Sequence, residues 1–120
     1  MAKILAVDDS ASMRQMVSFT LKGAGHDVVE ASDGVEAYKI AQGTSVDLVL
    51  SDVNMPNMNG IELCAKLRGL PSYKFTPILM LTTESTGDKK TAGKTAGATG
   101  WIVKPFNPDQ LLTTIKKVLG

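Results

Sequence analysis

Cysteine occurs once in these 120 residues, at Cys64. No disulfide can form within the chain, and the single thiol fits a reducing compartment. Long apolar runs are missing too: none approaches the roughly 20 residues of a membrane-spanning helix. Only the short apolar run Ile4 to Val7 lies between Lys3 and Asp8, too little for a secretory signal. Neither sign of charge is in excess; a net charge of +1 gives no electrostatic footprint for nucleic acid. There is no internal repeat and no low-complexity tract. A length of 120 residues suits one domain, residues 1–120, with no room for a second folded module. These absences lead to the expectation of a soluble cytoplasmic monomer with no membrane and no nucleic-acid partner. They name no activity.

What is present is more informative. Four apolar runs each end on a reactive polar residue: Ile4–Val7 at Asp8-Asp9, Leu48–Ser51 at Asp52, Ile78–Leu81 at Thr82-Thr83, and Trp101–Val103 at Lys104-Pro105. Short apolar runs bounded by polar or turn residues read as buried strands. If they are parallel strands of one sheet, all four polar sets meet at its carboxyl edge, where open α/β sheets place their ligands.

Helical spacing fills the intervals. Met13, Met16, Val17, Thr20, Leu21 and Ala24 follow one face, with Gly23 and Gly25 as the stop. Asp33-Gly34-Val35-Glu36 and Asn59-Gly60-Ile61-Glu62 have capping-box spacing. Asn107-Pro108 opens a last helix with the stripe Leu111, Leu112, Ile115, Val118 and Leu119. Val28-Val29 is a further short strand. A helix over 86–96 is expected to be the least stable element, because Gly87 and Gly93 interrupt it. The βα alternation, repeated five times, predicts a doubly wound five-stranded parallel sheet with helices on both faces, a flavodoxin-like α/β fold. Asp8-Asp9 and Asp52 act together only if the first and third strands are neighbours. The order 2-1-3-4-5 provides that.

Clustered carboxylates repel one another unless a cation compensates. Lys104 offers one positive charge and a divalent ion two more. Mg²⁺ suits an all-oxygen set, and no His or Cys is nearby to favour zinc. With such an ion bound, one carboxylate is able to attack a phosphoryl group; Lys104 and the Thr82 hydroxyl would hold its oxygens. Asp52, alone at the end of the middle strand, is the candidate nucleophile. Asp8 and Asp9 are the candidate metal pair, and Asn54 is placed to lend a backbone carbonyl. The structural alternatives are ordinary: an Asp-Asp pair before a helix also serves as a cap, and Lys-Pro is common on surfaces. It is the conjunction of four strand ends that favours chemistry.

At this point the residues resemble the receiver domain of two-component response regulators, and within it the single-domain chemotaxis regulators. The matches run through the chain in order: Val7-Asp8-Asp9-Ser10, Ser51 to Gly60 with its Asp-x-x-Met-Pro-x-Met-x-Gly pattern, Leu81-Thr82-Thr83-Glu84, and Gly97 to Phe106 with Lys104-Pro105-Phe106. The resemblance implies that Asp52 takes a phosphoryl group from a histidine kinase. It implies Mg²⁺ held by Asp8, Asp9, Asp52 and the Asn54 carbonyl, Lys104 paired with the phosphate, and Thr82 moving to bond it. Trp101 falls at the family's aromatic switch, more often Tyr or Phe, and Asn54 and Glu84 at positions that tune dephosphorylation. Such a protein catalyses its own aspartyl phosphorylation and dephosphorylation and is not a conventional turnover enzyme. The Lys104-Pro105 bond is often cis in the family. The implied partners are a chemotaxis histidine kinase, a flagellar motor switch protein and a phosphatase. Lys89, Lys90 and Lys94 with Lys116 and Lys117 would form a basic output surface.

Other readings fit less well. Gly93-Lys94-Thr95 looks like the end of a P-loop, but that motif requires Gly where Asp88 stands. A haloacid-dehalogenase-type phosphatase carries a second Asp where this chain has Asn54, and it needs a cap domain. A transcription-factor receiver would be expected to continue into a linker. A phosphate sink or phosphorelay receiver, with no output partner, remains the alternative to an output protein.

Overall fold

Every apolar run is a strand in the computed structural model, which describes residues 2–55, 57–82, 97–104 and 107–119. The strands are β1 (Lys3–Val7), β2 (Asp27–Ala31), β3 (Leu48–Asp52), β4 (Ile78–Thr82) and β5 (Gly100–Val103). Among the described residues the helices are α1 (Ala11–Gly23), α2 (Gly34–Gly43), α3 (Gly60–Arg68) and α4 (Pro108–Leu119), with a 3-10 turn at Pro71–Tyr73. The sheet runs β2-β1-β3-β4-β5, and every neighbouring pair is parallel. The expected order is therefore the observed one. The expected helix over 86–96, with its lysines, lies outside the described residues, as do Glu84 and Pro105.

All residues of β3 and β4 are buried, because helices cover both sheet faces and leave no polar side. Alternate residues feed two cores. Leu5, Val49 and Met80 pack with Leu63 and Leu67 of α3 and Ala37 and Ala41 of α2. Ile4, Leu50 and Leu79 pack with Val17 and Leu21 of α1 and Leu111 and Ile115 of α4. Burying a side chain of this size contributes about 1.5–3 kcal/mol, so α4 is held on the sheet largely by Leu111 and Ile115. Leu112, Val118 and Leu119 flank them as partly buried neighbours.

Local signals mostly became the expected caps. Asn59 and Glu62 form a reciprocal capping box, and Asn107 Oδ1 accepts from Gln110 N–H at 2.7 Å. Asp33 accepts from Glu36 N–H at 2.8 Å, but Glu36 reaches back to Ser32, not to Asp33. The stripe of α1 is narrower and rotated relative to expectation. Val17, Ser18 and Leu21 are buried, whereas Met16 is exposed. Ala24 is exposed as the C-cap, beyond the last helical turn. Hydrophobic spacing cannot anticipate Ser18, a polar residue that is nonetheless buried. Gly25, at φ 91°, takes the left-handed turn that follows.

Candidate functional site

Asp8 directly follows β1, and its polar atoms are all engaged. Its N–H donates to Ala31 O of β2 at 3.1 Å. Its Oδ1 accepts from Ser10 N–H at 2.9 Å, its Oδ2 from Lys104 Nζ at 3.3 Å, and its carbonyl oxygen from Arg14 Nη1 at 2.7 Å. Capping of α1 falls to Ser10, whose Oγ accepts from Met13 N–H. The ordinary role open to the acidic pair is thus filled by its neighbour. Asp8 is buried and Asp9 is exposed.

Asp52 closes β3. Its Oδ1 accepts from Val53 N–H at 2.9 Å and lies 3.3 Å from Lys104 Nζ. The chain then turns into α3, and Gly60 is required where it does. A Cβ there would run into the Asp52 carbonyl oxygen, while the Gly60 N–H donates to Val53 O at 2.9 Å. The same loop is strapped to α2: Asn57 Nδ2 donates to Asp33 Oδ2 at 3.0 Å, and Gly34 leaves no room for a side chain beneath Met58. Asn57 adopts φ 67°, a conformation Asn tolerates better than most residues. Lys104 is delivered by β5; its N–H donates to Thr82 O at 2.7 Å.

One carboxylate oxygen from each of Asp8, Asp9 and Asp52 lies within 4.8 Å of the other two. Burial pushes the Asp52 carboxyl above the ordinary carboxylate range; the Lys104 charge opposes this and the Asp8 charge adds to it. Lys104 is the group that lets two buried carboxylates face each other. The donor set fits a hard divalent cation such as Mg²⁺, since it is all oxygen and anionic, with waters able to complete the shell. Asp8, Asp9 and Asp52 would each offer one carboxylate oxygen to such an ion.

The other anticipated residues that the structure describes lie on β4, on β5 and in the segment after β3. Thr82, fully buried, ends β4 and pairs in register with Val103. Asn54 is exposed two residues beyond Asp52. Trp101 pairs with Met80 in register and, half-buried, packs on the sheet face shared with α2 and α3. Glu84 lies outside the described residues. Sequence reasoning missed the contributions of Arg14 and Asn57, and of Asp33 it read only the helix cap, not the bond to Asn57. Asn57 carried a signal as a turn-favouring residue within a loop.

An open α/β sheet with this strand order, three carboxylates and a lysine at its carboxyl edge is the arrangement of a receiver domain. The response regulator receiver domain family matches residues 4–116, and the chain belongs to that family. It is similar over its length to chemotaxis proteins of the CheY kind. It is 42% identical to a CheY homolog of Campylobacter jejuni, covering 98% of this chain and 92% of that one. It is 41% identical to CheY1 of Helicobacter pylori, covering 98% and 97%. The solved structure of Vibrio cholerae CheY4 superposes with a TM-score of 0.96 at 58% identity, covering 98% of each chain.

Proposed function

We propose that residues 1–120 form one phosphorylation-controlled receiver that acts in chemotaxis. Asp52 accepts a phosphoryl group from a histidine kinase, and the modified form binds a flagellar motor switch protein. The observation that carries this reading is the meeting of Asp8, Asp9, Asp52 and Lys104 at one sheet edge. The similarity to CheY proteins supports the chemotaxis assignment and, with it, a cytoplasmic location. No helix among the described residues is long and apolar enough to cross a membrane.

In the transfer, an Asp52 carboxylate oxygen forms a bond to phosphorus while the phosphorus–nitrogen bond to the kinase histidine breaks. The electron pair stays on that nitrogen, which takes up a proton. Mg²⁺, held by Asp8, Asp9, Asp52 and the Asn54 carbonyl, would neutralise charge on the phosphoryl oxygens. Lys104 exchanges its bond to Asp52 for one to a phosphoryl oxygen, and the Thr82 hydroxyl moves to donate to another. Loss of that hydroxyl from its former position opens space for the Trp101 ring, and the surface beside β5 changes with it. This is a local charge change biasing a two-state element. Hydrolysis ends the modified state: a water oxygen bonds to phosphorus as the bond from phosphorus to the Asp52 oxygen breaks, its electron pair returns to the carboxylate, and inorganic phosphate leaves; Asn54 and Glu84 tune the rate and a phosphatase accelerates it.

The test is binding of a switch-protein peptide with and without beryllofluoride, a phosphoryl mimic. Tighter binding with the mimic is expected. Equal binding would favour the phosphate-sink or relay role.

A further inference from the structure

Asp8 and Asp9 share a peptide plane, and one side chain holds it. Arg14, one helical turn into α1, donates from Nη1 to the Asp8 carbonyl oxygen at 2.7 Å. Its Nε lies 3.3 Å from Glu30 Oε1 on β2, with the Arg14 side chain only 20% exposed. The guanidinium is planar, so one hydrogen bond and one ion pair made from two of its nitrogens fix its orientation. The carbonyl it grips belongs to the Asp8–Asp9 peptide bond, which is itself flat. Fixing that oxygen fixes the direction in which the chain leaves for Asp9. On the other side, Asp8 N–H is bonded to Ala31 O of the same strand β2. Asp8 is therefore gripped at both of its peptide planes, the second of which it shares with Asp9, and both grips refer back to β2.

Asp9 needs this more than its partners do. Asp8 has its carboxylate held by Ser10 and Lys104, and Asp52 has its own held by Val53 and Lys104. Asp9 is exposed, so the placement of its carboxylate near the other two depends on its backbone.

We propose that Arg14 is a positioning residue for divalent-cation binding, setting the Asp8–Asp9 peptide so that the Asp9 carboxylate stays on the cluster. The proposal rests on the metal reading above. It has a sign that simple electrostatics does not share. Removing a cation beside an acidic site should tighten metal binding by charge alone, whereas loss of a positioning partner should weaken it. Outer-sphere partners of metal ligands are commonly worth about 10–100-fold in affinity.

Mg²⁺ titration by calorimetry, on the full chain, separates these. Arg14→Met is expected to bind Mg²⁺ about tenfold more weakly than the unaltered protein. Arg14→Lys keeps the charge but not the planar fork, and it should also weaken binding, by a smaller factor. Melting of the metal-free proteins monitors the fold, and Arg14→Lys carries the test should Arg14→Met fail to fold. Unchanged or tighter Mg²⁺ binding in a folded variant overturns the role of Arg14. Absence of saturable Mg²⁺ binding by the unaltered protein instead overturns the metal reading, and the proposal falls with it.

Discussion

Lys104 Nζ stands 3.3 Å from Asp52 Oδ1, so the proposed acceptor carboxylate and the lysine proposed to meet its phosphoryl group are joined across two strands that are not neighbours. The same ammonium reaches Asp8 Oδ2 at 3.3 Å. The fold therefore keeps Asp52, the proposed acceptor, beside a cation.

Asp52→Asn should abolish labelling by acetyl phosphate, read by mass spectrometry; continued labelling would mean another nucleophile. The same substitution should stabilise the metal-free protein near neutral pH. The folded-state pKa of Asp52 is raised, chiefly by burial. A raised carboxyl favours folding fully only below its unfolded pKa, and the advantage is lost as pH rises through the folded value. Above that value the charged group opposes folding, and Asn removes the cost. The gain should show as a higher Tm, about 3–5 °C per kcal/mol for a domain of this size, and should vanish on acidification below the unfolded value of 3.8.

Lys104→Met leaves Asp8 and Asp52 facing each other without a cation. Breaking a buried pair costs about 3 kcal/mol or more, and denaturant melts of the metal-free variant should register it. Mg²⁺ should restore more stability to this variant than it adds to the unaltered protein, because the ion then relieves a repulsion that Lys104 had covered. An equal Mg²⁺ gain in both would contradict the compensating role.

Mg²⁺ itself should raise Tm, and chelation should reverse the effect. A ligand that binds only the folded state adds about 2.7 kcal/mol at 100 times its Kd. Ca²⁺ should give a smaller shift if the site prefers the small octahedral ion. A melting curve indifferent to Mg²⁺ would count against the acidic cluster as a metal site.

The framework was legible because its signals are local. Ile78 to Leu81 and Leu48 to Leu50 are apolar without alternation, which only strands covered on both faces tolerate, and Asn59 with Glu62 announces its helix by spacing alone. The carboxyl-edge residues followed from topology, since parallel strands bring their ends together. The supports of the site were not legible. Arg14 reaches an oxygen of Asp8, Asn57 reaches the α2 cap at Asp33, and Arg68 collects the carbonyls of Tyr73, Thr76 and Gly97. Each is a side chain meeting a distant backbone or cap atom, and no periodicity encodes such a meeting.

Asn57→Val should destabilise the fold by about 1–3 kcal/mol, because a β-branched residue is strained at φ 67°. It also unstraps the acceptor loop from Asp33. Acetyl phosphate labelling of the folded variant should therefore slow, while Asn57→Gly, which relaxes the backbone but lacks the strap, should slow labelling with less loss of Tm. Labelling rates equal to the unaltered protein in both would mean the strap has no bearing on the loop.

Trp101 is the only tryptophan and is half-buried. If the ring turns inward on activation, beryllofluoride should lower its quenching by acrylamide and shift its emission to the blue. Unaltered quenching would place the output change elsewhere.

Ala2, Val118 and Leu119 line one open hollow of about 470 Å³ together with His26, Asp47 and Pro77. His26, Asp47 and Pro77 immediately precede β2, β3 and β4, so this hollow lies at the end of the sheet away from the acidic cluster. Both ends of the described chain therefore gather at the edge of the sheet opposite the acidic cluster. A fluorophore, a surface tether or a fused partner attached at either end would be held a sheet's length from Asp52.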